Sequence, residues 1–220
     1  MKTPLQVISG YAELMKNDMV QPSDRQKFAA LIYDEAQTMR SLINDVLTLS
    51  KLDESAFEND GATAINLYAV AQRVAGRLSS FADDQGVRVR VEGASACIAG
   101  SETLAEEMLY NLIENGIRYN HEGGLVTMKV GSECVEGGLA NAAYQTVVRV
   151  SDTGPGIPAE LHDKVFERFF RVDKSRSKET GGTGLGLAIV KHAVMYHGGV
   201  IEVESAEGQG TTFVLRFPSA

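Results

Sequence analysis
The sequence predicts an α+β protein in two parts: a two-helix hairpin, then a mixed sheet covered on one face by helices. Three observations carry this. Apolar residues near the N-terminus recur at heptad spacing, a polar aperiodic stretch follows, and beyond it helical and alternating patterns interleave.

Leu5, Ile8, Ala12, Met15 and Met19 lie 3, 4, 3 and 4 residues apart, a heptad seam. Asn17-Asp18 and Gln21-Pro22-Ser23 interrupt it. Pro22 and Ser23 suit a new helix start, with Ser23 as its N-cap. A second seam runs through Phe28, Ile32, Glu35, Met39, Leu42, Val46 and Leu49, with Glu35 as its polar member. Two such helices joined by a short turn form an antiparallel hairpin. A hairpin buries little alone, so it is expected to pair with a second copy into a four-helix bundle. A helical cap packed on the second part is the alternative.

Asp53 to Gly61 is polar and reads as the linker. The expected parts are residues 1–54 and 55–220. Leu67 to Phe81 reads as a helix with Val70, Val74 and Leu78 on one face. Val87, Val89 and Val91 alternate as a strand, with Ala96 to Ala99 as its candidate partner. Ser101 caps a helix to about Tyr119, striped by Leu104, Met108, Leu112 and Ile113. Val126–Val130 and Tyr144–Val150 read as strands, with turns marked by Gly123-Gly124 and Gly137-Gly138. Leu185 to His197 is a helix stopped by Gly198-Gly199. Val200–Val203 and Thr211–Phe217 close the chain as a hairpin.

A net charge of −8 argues against a nucleic-acid surface. No run approaches the ~18 apolar residues of a membrane span, and no signal peptide is visible. Cys97 and Cys134 lack metal-ligand spacing and read as reduced thiols in a cytosolic setting.

Three segments carry chemistry. Asp152-Thr153-Gly154-Pro155-Gly156 follows a buried strand. Its carboxylate can accept from an exocyclic amine, as on adenine, and Gly154 and Gly156 allow close backbone approach. A plain turn is the competing reading. Asn111 and Asn115 share a helix face, where an amide oxygen can ligate Mg²⁺ beside phosphates. Arg118 falls one turn on, toward a phosphate, and Tyr119 can stack on a base. A solvated face is the alternative. Gly182-Thr183-Gly184-Leu185-Gly186-Leu187 opens an apolar helix whose N-terminus favours phosphate. A dinucleotide fold does not fit, for no strand immediately precedes the motif, and a P-loop lacks its Gly-Lys-Ser/Thr. Between these, Phe166 to Val172 is aromatic and Asp173 to Gly181 reads as a mobile lid. Lys174, Arg176 and Lys178 can reach a terminal phosphate, but each alone reads better as solvated.

In order and spacing, these segments make the whole chain resemble the catalytic core of a bacterial sensor histidine kinase. Asn111–Asn120 resembles the N box, Asp152–Gly156 the G1 box, Phe166–Phe170 the F box and Gly182–Leu187 the G2 box. Gly208 to Phe213 resembles the glycine-rich closing hairpin. The resemblance implies an ATP-binding sandwich of the histidine-kinase, gyrase and Hsp90 type, behind a dimerisation and phosphotransfer hairpin. It implies that Asn115 holds Mg²⁺, Asp152 binds the adenine amine, Tyr119 lies along the base and Arg171 approaches the γ-phosphate of ATP. Gly182, Gly184, Leu185, Gly186 and Leu187 would cradle the nucleotide. Arg118 stands where many members have Lys. Asn111 stands where ATP-hydrolysing relatives carry a Glu base, which favours a kinase over an ATPase.

Met1-Lys2-Thr3-Pro4-Leu5 resembles the end of the His-Glu-x-Lys-Thr-Pro box. Its His would sit two residues before Met1, so this chain is expected to be a fragment inactive in autophosphorylation. Thr3 matches a position that serves the family's phosphatase reaction; an N-cap beside Pro4 is the plainer reading. The implied partners are a second copy and a response-regulator receiver domain, with membrane attachment only through missing N-terminal segments. The implied setting is cytoplasmic. An ATPase of the same superfold and a dimeric ATP-binding module without transfer are the rival readings.

Overall fold
The structure, a computed structural model, describes residues 4–54, 63–135, 143–172 and 182–219. Thr3, the Gly137-Gly138 turn and the expected lid at 173–181 lie outside the described residues.

Helix α1 (Pro4–Lys16) and helix α2 (Arg25–Glu54) pack together, with Tyr11 edge-on to Phe28 at 5.3 Å. The first seam is cut short. Asp18 takes a left-handed φ of 53°, which ends the helix and leaves Met19 exposed. The Asp18 carboxylate pairs with Arg25 across the turn at 2.6 Å. Ser23 does not cap α2. It lies inside a 3-10 turn, Pro22–Asp24, and a cap needs non-helical geometry. Along the second seam Phe28, Ile32, Glu35, Met39 and Leu42 are half-buried, Val46 is exposed and Leu49 is buried.

The second part begins with strand β1 (Thr63–Asn66), which runs into helix α3 (Leu67–Arg77), capped by the Asn66 side chain. The helical stretch expected to reach Phe81 breaks at Leu78, and a short helix α4 (Ser79–Asp84) follows. Strand β2 (Arg88–Gly93), strand β3 (Cys97–Gly100), helix α5 (Glu102–Arg118), strand β4 (Leu125–Val135) and strand β5 (Ala143–Asp152) come next. Two 3-10 turns (Ala159–Leu161, Lys164–Phe166) lead toward helix α6 (Gly186–Tyr196) and the hairpin of β6 (Val200–Ser205) and β7 (Thr211–Pro218).

The main sheet has the order β2-β4-β5-β7-β6; β2 and β4 run parallel and the other pairs antiparallel. β3 therefore does not partner β2 as expected. It pairs antiparallel with β1, and β2 takes β4 instead. The buried Thr146 hydroxyl donates to the Cys97 carbonyl at 2.9 Å, joining the small sheet to the large one.

Helices α3, α5 and α6 contribute one face of the core. Val74, Met108, Leu112 and Val194 bury against Met128, Val148, Val150 and Leu215. The other face carries charged cross-strand pairs, Arg149–Glu133 and Arg216–Glu202, each at 2.5 Å. At the rear, the buried His197 closes α6. Its Nδ1–H donates to the Ala193 carbonyl at 2.7 Å, and Nε2 lies 3.2 Å from both the N–H and the carbonyl oxygen of Ser101. Burial holds the pKa of the ring below the ordinary value, and its backbone bonds to Ala193 and Ser101 act in the opposite direction.

Candidate active site
Three elements and their loops meet at one end of the sheet, around a cavity of about 690 Å³. That size suits a nucleotide-scale ligand.

Strand β5 delivers Asp152 to the wall. One carboxylate oxygen accepts from the Gly154 N–H at 2.8 Å and the Thr211 N–H at 3.3 Å. Burial raises its pKa, and these two bonds act in the opposite direction. The loop after it is pinned to the β6–β7 turn. The Gly208 N–H donates to the Pro155 carbonyl at 2.6 Å, and a Cβ at Gly156 would lie 1.9 Å from the Ala206 oxygen.

Helix α5 is capped by Ser101, whose hydroxyl accepts from the Leu104 N–H at 3.5 Å. Glu107, Asn111, Glu114, Asn115 and Arg118 recur at helical spacing and all line the cavity. Asn111 donates its amide N–H to the Glu107 carbonyl at 2.9 Å, and its Oδ1 faces Gly186, where a Cβ would come within 2.6 Å. Arg118 pairs with Glu114 at 2.5 Å and lies 5.4 Å from the Phe81 ring centre. Its guanidinium is thus held by a carboxylate of its own helix.

The glycine-rich loop supplies the third wall. The Gly184 carbonyl accepts from the Phe169 N–H at 2.8 Å, and the Gly182 carbonyl from Arg171 at 2.5 Å. Phe169 has φ of 63° and is exposed, an uncommon conformation for a bulky residue. The Thr183 hydroxyl donates to Asp45 of α2 at 2.7 Å and accepts from the Leu185 N–H at 3.3 Å. Burial is the main cause that raises the Asp45 pKa; the Thr183 bond lowers it and Glu114 adds to the rise. Below this contact Leu49 buries with Leu185, Ala188 and Ile189.

Of the residues expected at the site, Asn111, Asn115, Arg118, Tyr119, Asp152, Gly156, Arg171, Gly182, Gly184, Gly186 and Leu187 line the cavity. Gly154 and Leu185 do not. Gly154 is buried behind Asp152, where a Cβ would meet the carboxylate and the Tyr119 carbonyl at 2.9 Å. Leu185 points into the apolar contact with α2. Thr38, Ser41 and Asp45 of α2 also line the cavity and were not foreseen as site residues. They carry no local signal, since they read as ordinary polar positions of an amphipathic helix. Thr211 lines it too, legible only as part of the closing motif.

Among the described residues no group of three or more His, Cys, Asp and Glu is arranged to hold a metal. The oxygen donors on the α5 face are the amides of Asn111 and Asn115 and nearby carboxylates, a hard set that fits Mg²⁺ sharing ligands with phosphates. Asp45, Glu107 and Glu114 make this wall acidic, so a polyphosphate entering here needs an accompanying cation.

A strand-borne carboxylate, an asparagine-bearing helix and a glycine loop opening a second helix define a nucleotide-binding α/β sandwich joined to a helical hairpin. The sequence model of the family described as "Histidine kinase-, DNA gyrase B-, and HSP90-like ATPase" matches residues 100–220, and that of "His Kinase A (phospho-acceptor) domain" matches residues 1–55. The chain belongs to this ATPase family, and its two matched parts make it the core of a two-component sensor histidine kinase. It is similar to the sensor-like histidine kinase SenX3 of Mycobacterium tuberculosis, 33% identical over 220 residues, 100% of this chain and 51% of that protein. Among solved structures, full-length ShkA in complex with AMPPNP is 26% identical with a TM-score of 0.70, covering 100% of this chain and 46% of that one. Histidine kinase ThkA in complex with response regulator protein TrrA shares the fold, at 23% identity and a TM-score of 0.72, over 99% of this chain and 58% of that one. The chain spans about half the length of the relatives it matches. Among the described residues no helix is long and apolar enough to cross a membrane.

Proposed function
We propose that this core binds Mg-ATP in the cavity between α5, β5 and the glycine loop, and directs its γ-phosphate to a His on a helical hairpin, for relay to an Asp of a response regulator. The observation that carries the reading is the convergence of Asp152, the Asn111–Asn115 face and the Gly182–Gly186 loop on one cavity of about 690 Å³. Asp152 would accept from the adenine amine, Tyr119 would lie along the base, and Gly156, whose missing Cβ admits the Ala206 carbonyl, would keep its loop in place at the cavity wall. Asn115 would hold Mg²⁺, with Asn111 beside it; when bound, the ion neutralises charge on the phosphates. Arg118 and Arg171 would turn from Glu114 and the Gly182 carbonyl toward the phosphoryl oxygens. Asn111 cannot take a proton from water, so the site favours a nitrogen nucleophile over hydrolysis. Catalysis would rest on positioning and charge neutralisation.

On this reading residues 1–54 form the dimerisation and phosphotransfer hairpin and 55–220 the ATP-binding unit. The likeness to a kinase solved with AMPPNP supports the nucleotide, and the shared fold with a kinase bound to its response regulator supports the relay. The partners would be a second copy through the hairpin and a receiver domain, and the core would work on the cytoplasmic side of a membrane-anchored sensor. The test is label transfer from γ-labelled ATP to a hairpin that carries the His of a His-Glu-x-Lys-Thr-Pro box. Acid-labile label on that hairpin is the expected result. Steady phosphate release with no labelled protein would overturn the reading in favour of an ATPase.

A further inference from the structure
Asp152, Thr211 and Ser205 lie side by side on β5, β7 and β6, because Thr211 is in register with both of the others. Register fixes the face, so all three point to the helix-covered side where the cavity opens. Asp152 and Thr211 line the cavity, and Ser205 stands behind them.

The Ser205 hydroxyl has three partners. It accepts from the Ile157 N–H at 2.8 Å, donates to the Gly210 carbonyl at 2.8 Å, and lies 3.0 Å from the Thr211 hydroxyl. Its one proton is committed to Gly210, since a carbonyl can only accept. The Thr211 hydroxyl must therefore donate to Ser205. That fills both lone pairs of Ser205 and turns the Thr211 proton away from the cavity. Thr211 Oγ1 then meets a ligand only as an acceptor, beside the Asp152 carboxylate on the adjacent strand.

We propose that Ser205 is a positioning residue for nucleobase selection: it holds the Pro155–Pro158 loop against the β6–β7 turn and locks the Thr211 hydroxyl as an acceptor facing the cavity. Two adjacent acceptors match an exocyclic amine, which brings two N–H donors. They disfavour a base that presents a carbonyl or a bare ring C–H there. This rests on the adenine assignment to Asp152.

The experiment measures, by titration calorimetry, the affinity of the whole chain for Mg-ATP and for Mg-purine riboside triphosphate, which keeps the ring and lacks the amine. Ser205→Ala frees the Thr211 hydroxyl to rotate and is expected to cut the preference for ATP about tenfold, with the purine analogue nearly unaffected. Ser205→Thr is expected to restore the preference. Ser205→Ala combined with Thr211→Val is expected to lose no more preference than Thr211→Val alone. Equal weakening of both nucleotides would mean a merely structural role and would overturn the proposal. If Ser205→Ala does not fold, Ser205→Cys keeps the volume with a poor donor and acceptor, and is judged by the same ratio. Asp152→Asn separates the two levels of the argument. If it leaves the ATP preference intact, the adenine assignment falls and Ser205 with it. If it abolishes the preference while Ser205→Ala and Ser205→Cys keep it, only the role of Ser205 is wrong.

Discussion
Gly156→Ala should be among the most damaging single-methyl additions to the site, and the structure indicates by how much. Gly156 has φ of 75°, and a Cβ there lies 1.9 Å from the Ala206 carbonyl oxygen. The obstacle is backbone, so no side-chain rotation relieves it. The turn would have to recede from 1.9 Å to the roughly 3.4 Å of an ordinary contact. That retreat breaks the bond from the Gly208 N–H to the Pro155 carbonyl and strains the one from Ile157 to Ser205. At about 1 kcal/mol for each bond, plus ~1–2 kcal/mol for a left-handed residue with a Cβ, the cost is roughly 3–4 kcal/mol. Gly208→Ala is the internal control. Its φ is 74°, but nothing lies within 4 Å of its Cβ, so only the conformational cost applies. Gly76→Ala, in α3 with open space around its Cβ, should be neutral to stabilising, by up to about 1 kcal/mol. Thermal unfolding followed by circular dichroism reads the series. The ~2 kcal/mol between Gly156→Ala and Gly208→Ala corresponds to about 4–8 °C in a chain of this size. If the strain is released by opening the loop, Mg-ATP affinity falls instead. A Gly156→Ala protein that melts with Gly208→Ala and binds nucleotide normally would refute the pinned-loop account.

Burial raises the pKa of Asp152, so Mg-ATP affinity should begin to fall, on acidification, above the pH at which an ordinary Asp titrates; calorimetry across the acid range checks this. His197 is shifted the other way. Its folded pKa lies below the unfolded value of 6.5, so the unfolded chain binds its proton first. Stability is then full above that value, falls as pH drops through it, and levels off below the folded pKa. Urea unfolding across this window should show the slope, and His197→Gln should flatten it. The hairpin should make the chain a dimer at tens of micromolar, since Leu5, Ile43, Val46 and Leu47 are exposed apolar residues along it; light scattering that returns the mass of one chain would count against this.

The sequence revealed the site better than the connections behind it. Asp152, Asn111 and Gly184 sit in local patterns whose spacing carries meaning without knowledge of the fold. The pairing of β3 was not legible. Cys97–Gly100 is short and lacks alternation, and hydrophobic pattern alone cannot reveal that the edge strand β2 prefers the parallel partner β4. β1 went unread for the same reason, with only Ile65 buried among its apolar positions. The break at Leu78 has no Pro to announce it, and Gly76 alone was too weak a signal. Ser23 looked like a cap because composition cannot tell a cap from the 3-10 turn that precedes a helix. Asp45 and Ser41 were invisible as site residues because their contacts cross from one part of the chain to the other.

That crossing has a consequence for signalling. Helix α2 supplies part of the cavity wall, and through Asp45 and Leu49 it grips the same loop and helix that open the nucleotide site. Two events that share a wall share free energy. Whatever twists or slides α2 away from Thr183 changes the affinity for a cavity ligand by some factor, and the ligand must change the ease of that motion by the same factor. The hairpin is thus a lever whose stroke can be read as a shift in a dissociation constant, carried by side-chain contacts such as Thr183 with Asp45, Thr48 with Glu107 and the cluster around Leu49.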